Sequence, residues 1–225
     1  MTTATEPARS AGSARTPKLR ADASRNRERI VLAARDAFVE YGADAPLDEI
    51  AKRAGVGNAT LYRNFPDRRA LIHEVVLLVK NRVLTRAETA AAEAELPDGS
   101  GPFDALQQFA HASVEEKVGG LCALFSSHLS SSDPELAEVR ERLRSAVSGL
   151  MERAQAAGEL RPDVDSGDLF IAMSQLTRPL PHTSCRLHDE FVHRHLQIFL
   201  DGLRAPAPSA LPGRAATFED LQTEN

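Results

Sequence analysis

The residues best suited to contact another molecule lie in segment 58–64, where polar side chains surround one apolar anchor. Leu61 and Phe65 are four residues apart, which places both on one face of a helix. The remaining side chains then surround the opposite face, and they are Asn58, Ala59, Thr60, Tyr62, Arg63 and Asn64. Arginine suits the O6 and N7 atoms of guanine, hydroxyl groups can reach a base edge or a phosphate, and alanine permits close approach. The segment therefore predicts a short helix that reads the DNA major groove.

A second short helix is predicted immediately before it. Apolar residues recur at the i, i+3, i+4, i+7 spacing of one buried face, and they are Leu47, Ile50, Ala51 and Ala54. Gly55 follows, where a helix that ends in a left-handed residue favours glycine. Two short helices joined by a glycine turn indicate a helix-turn-helix, and an earlier helix from about Arg25 to Tyr41 supplies its platform.

The stretch from Leu47 to Leu71 resembles the DNA-binding signature of the tetracycline-repressor (TetR) family, I-A-x-x-A-G-V-S-x-G-T-L-Y-x-x-F. The matching positions are Ile50-Ala51, Ala54-Gly55-Val56, Thr60-Leu61-Tyr62 and Phe65, without a gap. The similarity extends from about Asn26 to about Leu78, and residues 158–165 add a weaker one. The resemblance implies that Thr60, Tyr62 and Arg68 contact DNA.

Three positions depart from that signature. Pro46, Gly57 and Arg68 stand where the family often has threonine, serine and lysine. Proline and glycine still suit helix starts, and an arginine keeps the positive charge and can grip a phosphate with two donors. Arg25 and Arg27, at the start of the first helix, are further candidates to hold phosphate or to enter the minor groove.

The charge distribution agrees with a DNA-binding end. The net charge is −5, but residues 1–70 carry 13 Lys or Arg against 9 Asp or Glu. A basic head on an acidic body directs a protein onto phosphate by one end. Two cysteines are too few for a disulfide framework, and neither a signal peptide nor a membrane span is visible. We therefore expect a cytoplasmic protein without a cofactor or metal.

The predicted fold class is all-α, with two domains. We expect a disordered arm at 1–22, a three-helix DNA-binding domain at 23–66, a helical effector-binding and dimerisation domain at 67–204, and a disordered tail at 205–225. No segment alternates with the period of a strand over a useful length.

The resemblance implies that helices from about Asp67 to Leu180 enclose a small-molecule pocket and that the last two helices form a dimer interface. Small-molecule pockets combine a few polar groups with apolar and aromatic side chains, and both kinds are candidates here. The candidates are Phe109, Phe125, His128, Met151, Met173 and Gln175. The last helix has an apolar face broader than one packing contact needs, which predicts an interface at Phe191, His195 and Phe199.

The sequence therefore predicts a homodimeric transcription regulator that binds a pseudo-palindromic operator in double-stranded DNA. The main hypothesis is a repressor released from DNA by a small organic effector. One alternative is an activator, or a regulator controlled by a protein partner or by oxidation of Cys122. The other is an all-helical enzyme, which the basic head and the outward Thr60, Tyr62 and Arg63 argue against.

Overall fold

The computed structural model describes residues 15–95, 101–121, 133–178 and 185–221, with only the helical backbone at 15–22 and 185–189. Within these ranges the helices are α1 (Arg15–Tyr41), α2 (Leu47–Ala54), α3 (Asn58–Asn64), α4 (Arg68–Glu93), α5 (Pro102–Val114), α6 (Pro134–Ala156), α7 (Ser166–Leu176), α8 (Cys185–Leu203) and a 3₁₀ turn at Glu219–Leu221. Extended pairing in these ranges is limited to one β-bridge between Leu160 and Arg204. The all-α prediction is confirmed.

The described residues form two hydrophobic cores that meet along α4. The first core joins α1, α2, α3 and the first half of α4, and its largest buried side chains include Ile30, Phe38, Ile50, Leu61, Phe65, Leu71 and Ile72. The second core joins the later part of α4 to α5, α6, α7 and α8. Leu77 and Val118 pack against both cores. The helix-turn-helix is thus held by its own core and is joined to the C-terminal half by a continuous helix.

Local sequence explains how the short helices begin and end. Gly55 adopts φ 63°, the left-handed conformation predicted for the end of α2. Pro46 and Gly57 supply no side-chain cap, and α2 and α3 nevertheless start at the next residues. The Asp67 carboxylate accepts a hydrogen bond from Ala70 N–H at 2.8 Å and starts α4. The sequence signals for these boundaries were local, which is why the structure matches them closely.

The first helix begins earlier than expected. α1 starts at Arg15, whereas the sequence pattern predicted a start near Arg25 and a disordered segment through residue 22. Residues 15–24 contain no glycine, and Pro17 lies in the first turn, where proline is tolerated because the N–H groups there have no helical partner. The helical platform is therefore about three turns longer than its apolar pattern indicated.

The predicted disordered tail is also different. Residues 205–221 pack against α6 and α7, and Phe218 is buried with its ring edge-on to Phe170 at 5.1 Å. Ala216 N–H donates to Asp168 at 3.1 Å. A Cβ atom at Gly167 would lie 2.3 Å from the Ala216 carbonyl oxygen, so glycine permits the close approach. These contacts join residues far apart in sequence and leave no periodic signal.

Candidate nucleic-acid interface

Helix α3 presents one buried and one exposed face, as the sequence predicted. Leu61 and Phe65 are buried in the first core. Ala59, Tyr62 and Arg63 are exposed, and Tyr62 has 52% of its surface accessible. Such a helix lends few apolar contacts to the fold and offers its outer side chains to a partner.

Two candidate residues at the ends of α3 are committed to bonds within the domain. The Asn58 Nδ2 atom donates to Asp48 Oδ1 at 2.7 Å and links α3 to α2. The Asn64 Nδ2 atom donates to the Thr60 carbonyl at 2.8 Å, and Asn64 and Thr60 are half-buried. Asn58 is itself exposed but bonded to Asp48, and the other exposed residues of α3 are Ala59, Tyr62 and Arg63.

The structure places Arg27 differently from the phosphate contact that the sequence suggested. Its Nη2 atom lies 2.5 Å from Glu74 Oε1, and its Nη1 atom donates to the Asn64 carbonyl at 3.1 Å. Its guanidinium carbon also lies 4.4 Å above the centre of the Phe65 ring. Arg27 thus clamps α1 to the end of α3 and to α4. Arg25, two residues earlier, is exposed and stays a predicted DNA contact.

Arg68 also bonds within the domain. The resemblance implied a phosphate contact, but its Nη1 atom donates to the carbonyl oxygens of Ala43 and Ala45, both at 2.7 Å. These carbonyls lie in the loop between α1 and α2, where no helical N–H satisfies them. The arginine holds this loop against the start of α4 and is half-buried.

Sequence reasoning missed a further structural arginine, Arg53 on α2. Its guanidinium pairs with Glu40 at 2.8 Å and with Glu49 at 3.0 Å, and lies 5.3 Å from the Tyr41 ring centre. The hydrogen bond to Glu40 raises the pKa of Arg53 and lowers that of Glu40. The four-residue spacing of Glu49 and Arg53 was visible in the sequence, but the pairing with Glu40 required the packing of α2 on α1.

With this geometry established, comparisons with known proteins agree in both halves. Residues 30–75 match the family described as bacterial regulatory proteins, tetR family, and residues 101–205 match the C-terminal domain of SbtR-like transcriptional regulators. A TetR transcriptional regulator from Streptomyces coelicolor is 34% identical over 80% of this chain and 99% of that chain, with a TM-score of 0.58.

The chain belongs to the TetR family of transcriptional regulators. It is therefore a DNA-binding regulator and not an enzyme.

Other relatives of this TetR-family regulator are matched less completely. Uncharacterized HTH-type transcriptional regulators of Mycobacterium tuberculosis and Mycobacterium bovis are 49% identical over 45 residues, 20% of this chain and only 24% of their own length. The regulator LfrR of Mycobacterium smegmatis, solved in complex with proflavine, is 19% identical over 84% of this chain and 99% of its own, with a TM-score of 0.56. This last likeness shows the shared fold alone.

The predicted effector contacts are distributed over several environments in this TetR-family regulator. Phe109, Met151 and Met173 are buried in the second core. Phe125 and His128, together with Cys122, lie outside the described residues. Gln175 corrects the prediction, because it is exposed beside Ile171 on the outer side of α7. Met173, two positions earlier on the same helix, is buried.

Met151 also borders a cleft of about 300 Å³ between α6, the start of α7 and the tail. Its other lining groups include Ser148, Ser166 and Phe218. Polar groups contribute most of its lining, and the packed tail forms one of its walls.

The outer faces of α7 and α8 carry exposed apolar side chains. Phe191 and Ile198 are exposed on α8, Ile198 by 60%, and Ile171 is exposed on α7. His195 is exposed between the two α8 residues. Phe199, the third predicted interface residue, is half-buried and packs against the second core. The exposed set, which we call the outer apolar face, is Ile171, Phe191 and Ile198.

In the portion of the chain that is described, no cluster of three or more His, Cys, Asp or Glu side chains could hold a metal ion. The helices described there are also too short or too polar to cross a membrane.

Proposed function

We propose that this TetR-family regulator is a dimeric repressor that binds a pseudo-palindromic operator and leaves it when a small organic effector binds. The observation that carries the proposal is the pairing of two exposed surfaces, the outer side of α3 and the outer apolar face. One surface suits DNA and the other suits a second copy of the chain.

Arg63 and Tyr62 are the proposed contacts to base edges. Both project from the exposed side of α3, and arginine can donate two hydrogen bonds to guanine. Ala59 permits the backbone to approach the groove wall, and Thr60 and Arg25 are proposed to contact phosphate. Asn58, Asn64, Arg27 and Arg68 hold the domain together and support these contacts indirectly.

The outer apolar face is the proposed dimer interface. Its three large side chains lie on two consecutive helices, and a patch of exposed apolar side chains is typical of a surface that a partner covers. A two-fold arrangement of α7 and α8 gives a four-helix interface, in which the same face of both copies meets. Two α3 helices could then contact operator half-sites about one helical turn apart, ~34–36 Å.

The proposed effector is an organic molecule with aromatic or extended apolar area. The second core offers Phe109 and Met173 among aliphatic side chains, and the distantly related LfrR was solved with proflavine. An effector that weakens DNA binding tenfold must bind the DNA complex tenfold more weakly itself, about 1.4 kcal/mol. DNA and effector therefore oppose each other.

The DNA part of the proposal is tested by selecting duplexes from a random-sequence library with the full-length protein. We expect the selected sequences to share an inverted repeat, and sedimentation to show two protein chains on each repeat. A selected site without two-fold symmetry, bound by one chain, would contradict the dimer.

The effector part is tested by a thermal-shift screen of apolar small molecules, with each hit titrated against free and operator-bound protein. A hit that binds both forms equally is not the effector. Release of DNA by thiol oxidation alone would favour redox control over an effector.

A further inference from the structure

Glu116 is a buried carboxylate at the end of α5, with only 2% of its surface accessible. Burying a charge is costly unless opposite charges and hydrogen bonds compensate it. Three arginines surround this one. Glu116 Oε1 accepts from Arg86 Nη2 at 2.7 Å, and Oε2 lies 3.1 Å from Arg35 Nη1 and 3.4 Å from Arg82 Nη1. We call this cluster the Glu116 junction. Separating any one of its pairs removes a partner from a buried charge, which is costly.

The three arginines belong to two different elements. Arg82 and Arg86 lie on α4, and Arg35 lies on α1, within the domain that carries α3. Arg35 also donates to Asp36, from Nε at 3.0 Å and from Nη2 at 2.9 Å, so its guanidinium is oriented from both sides. Glu116 thus ties the DNA-binding domain to the end of α5.

The residues after Glu116 make two further close contacts. A Cβ atom at Gly120 would lie 3.3 Å from Val39 Cγ1 of α1. On the other side, Gly119 N–H donates to Thr177 Oγ1 at 2.7 Å, and a Cβ atom at Gly119 would lie 2.0 Å from the Ser174 carbonyl. We call residues 115–121 the connector, since they contact α1 and the end of α7 within a few residues.

We infer that the connector sets the position of the DNA-binding domain relative to α7, with Glu116 as a positioning residue for operator binding. This inference rests on the proposed dimer, because α7 carries part of the outer apolar face. If α7 is fixed at the two-fold axis, the connector fixes α1 relative to that axis. The separation of the two α3 helices then depends on the Glu116 junction.

Operator affinity depends on the fraction of dimers whose two DNA-binding domains are correctly spaced. A dimer binds both half-sites only when its two DNA-binding domains stand at the operator spacing. Loosening α1 lowers the fraction of dimers in that arrangement, and the operator affinity falls by the same factor. Binding to random DNA has no required spacing and depends on phosphate contacts, so it is not affected.

The test compares Glu116→Gln and Arg35→Gln with the parent on two probes. The probes are the duplex that the parent selects from a random library and a scrambled duplex of equal length. We expect each variant to bind the selected duplex about tenfold more weakly, with binding of the scrambled duplex unchanged. The double variant should be no weaker than the weaker single variant, because both changes break one junction.

The two single variants also separate positioning from long-range charge. Arg35→Gln removes a positive charge and Glu116→Gln removes a negative one. Long-range electrostatics alone would weaken DNA binding in the first and strengthen it in the second, on both duplexes. Positioning weakens the selected duplex in both, so opposite signs would overturn the inference.

Arg142→Gln is the matched control. Arg142 Nη2 lies 2.7 Å from Glu88 Oε1 of α4, a pair that joins two helices of the C-terminal half and does not reach α1. Arg142→Gln removes one positive charge, as Arg35→Gln does, and we expect this variant to bind the selected duplex as tightly as the parent. Arg35→Lys keeps the positive charge but offers a single ammonium group in place of the forked guanidinium. We expect it to bind the selected duplex more tightly than Arg35→Gln and more weakly than the parent.

Circular dichroism and thermal unfolding report whether each variant is folded. If Glu116→Gln does not fold, Arg35→Gln alone decides, because it leaves Glu116 paired with Arg82 and Arg86. Parental affinity of a folded Arg35→Gln would overturn the inference while leaving the proposed function intact. If the parent selects no duplex at all, the proposed function fails and the inference fails with it.

Discussion

The DNA-binding domain and the C-terminal half differ in the length of the helices that must be held in place. α2 and α3 are 8 and 7 residues long, and Arg27, Arg53 and Arg68 bind carbonyls and carboxylates around them. The C-terminal half has helices of 23 and 19 residues around a largely aliphatic core. Short helices bury too little apolar area to hold their own orientation, so forked donors complete the fit.

This difference changes the interpretation of the positive charge in residues 1–70. A count of positive residues does not distinguish arginines that face outward from those, such as Arg27 and Arg68, that bond within the domain. The comparison predicts that substitutions on the inner and outer sides of the same short helix have different effects. It predicts the same for arginines that bond within the domain and arginines that face outward.

The largest effect is expected at the inner side of α3. Phe65→Ala removes a buried ring that also supports Arg27, and we expect a loss of about 3–5 kcal/mol in the free energy of unfolding. Urea titration at fixed protein concentration measures it. Tyr62→Ala, on the exposed side, should change stability by less than about 0.5 kcal/mol while weakening operator binding. Equal stability losses would show that α3 has no free side.

The next effect tests the C-terminal half. Ile198→Glu places a carboxylate in the proposed interface on both copies, and unpaired buried charges cost several kcal/mol each, so we expect monomers in sedimentation. Leu211→Glu makes the same kind of change at an exposed tail position and should leave the dimer intact. A stable Ile198→Glu dimer would move the interface away from the outer apolar face.

Arg63→Ala tests the outer side of α3 directly. We expect operator binding to weaken by about 1–3 kcal/mol and binding to random duplexes to change little, because a base contact is lost. Mobility shift on both duplexes measures the two affinities. An equal loss on both would assign Arg63 to phosphate.

Arg68→Ala sharpens the same comparison for an internal arginine. Two loop carbonyls lose their donor, and since the site is half-buried and water can replace it in part, we expect a loss of about 1 kcal/mol in stability. The slope of operator affinity against salt concentration should be unchanged. A slope reduced by about one unit would return Arg68 to the phosphate contacts.

The smallest effect concerns the tail. A hydrogen bond from Arg161 lowers the pKa of Asp163 from 3.8 to about 2, and this carboxylate also accepts from Leu211 N–H at 3.3 Å. A lowered folded-state pKa stabilises the fold above pH 4, including the contact that the tail makes through Leu211, and this contribution is lost as the pH falls toward 2. Amide exchange of residues 205–221 across that range should show release of the tail. Asp163→Asn should loosen the tail at neutral pH and remove the acid dependence.

The sequence by itself determined the features that depend on neighbours along the chain. Gly55, the apolar spacing of α2, and the Leu61–Phe65 pair predicted the helix-turn-helix and its outward residues, because each signal lies within one or two turns. The all-α class followed from the same periodicity.

Only the tertiary structure decided which polar groups are free to bind. Arg27 and Arg68 look like phosphate contacts in sequence, but their partners are Glu74, 47 residues away, and the loop carbonyls of Ala43 and Ala45. Gln175 and Phe199 lie on helices whose rotation about their axes is set by packing, which periodicity constrains only to a broad face. The buried junction at Glu116 joins three segments that are distant in the chain. The sequence shows the charge of Glu116, but only the packing of these segments shows that the charge is buried and paired.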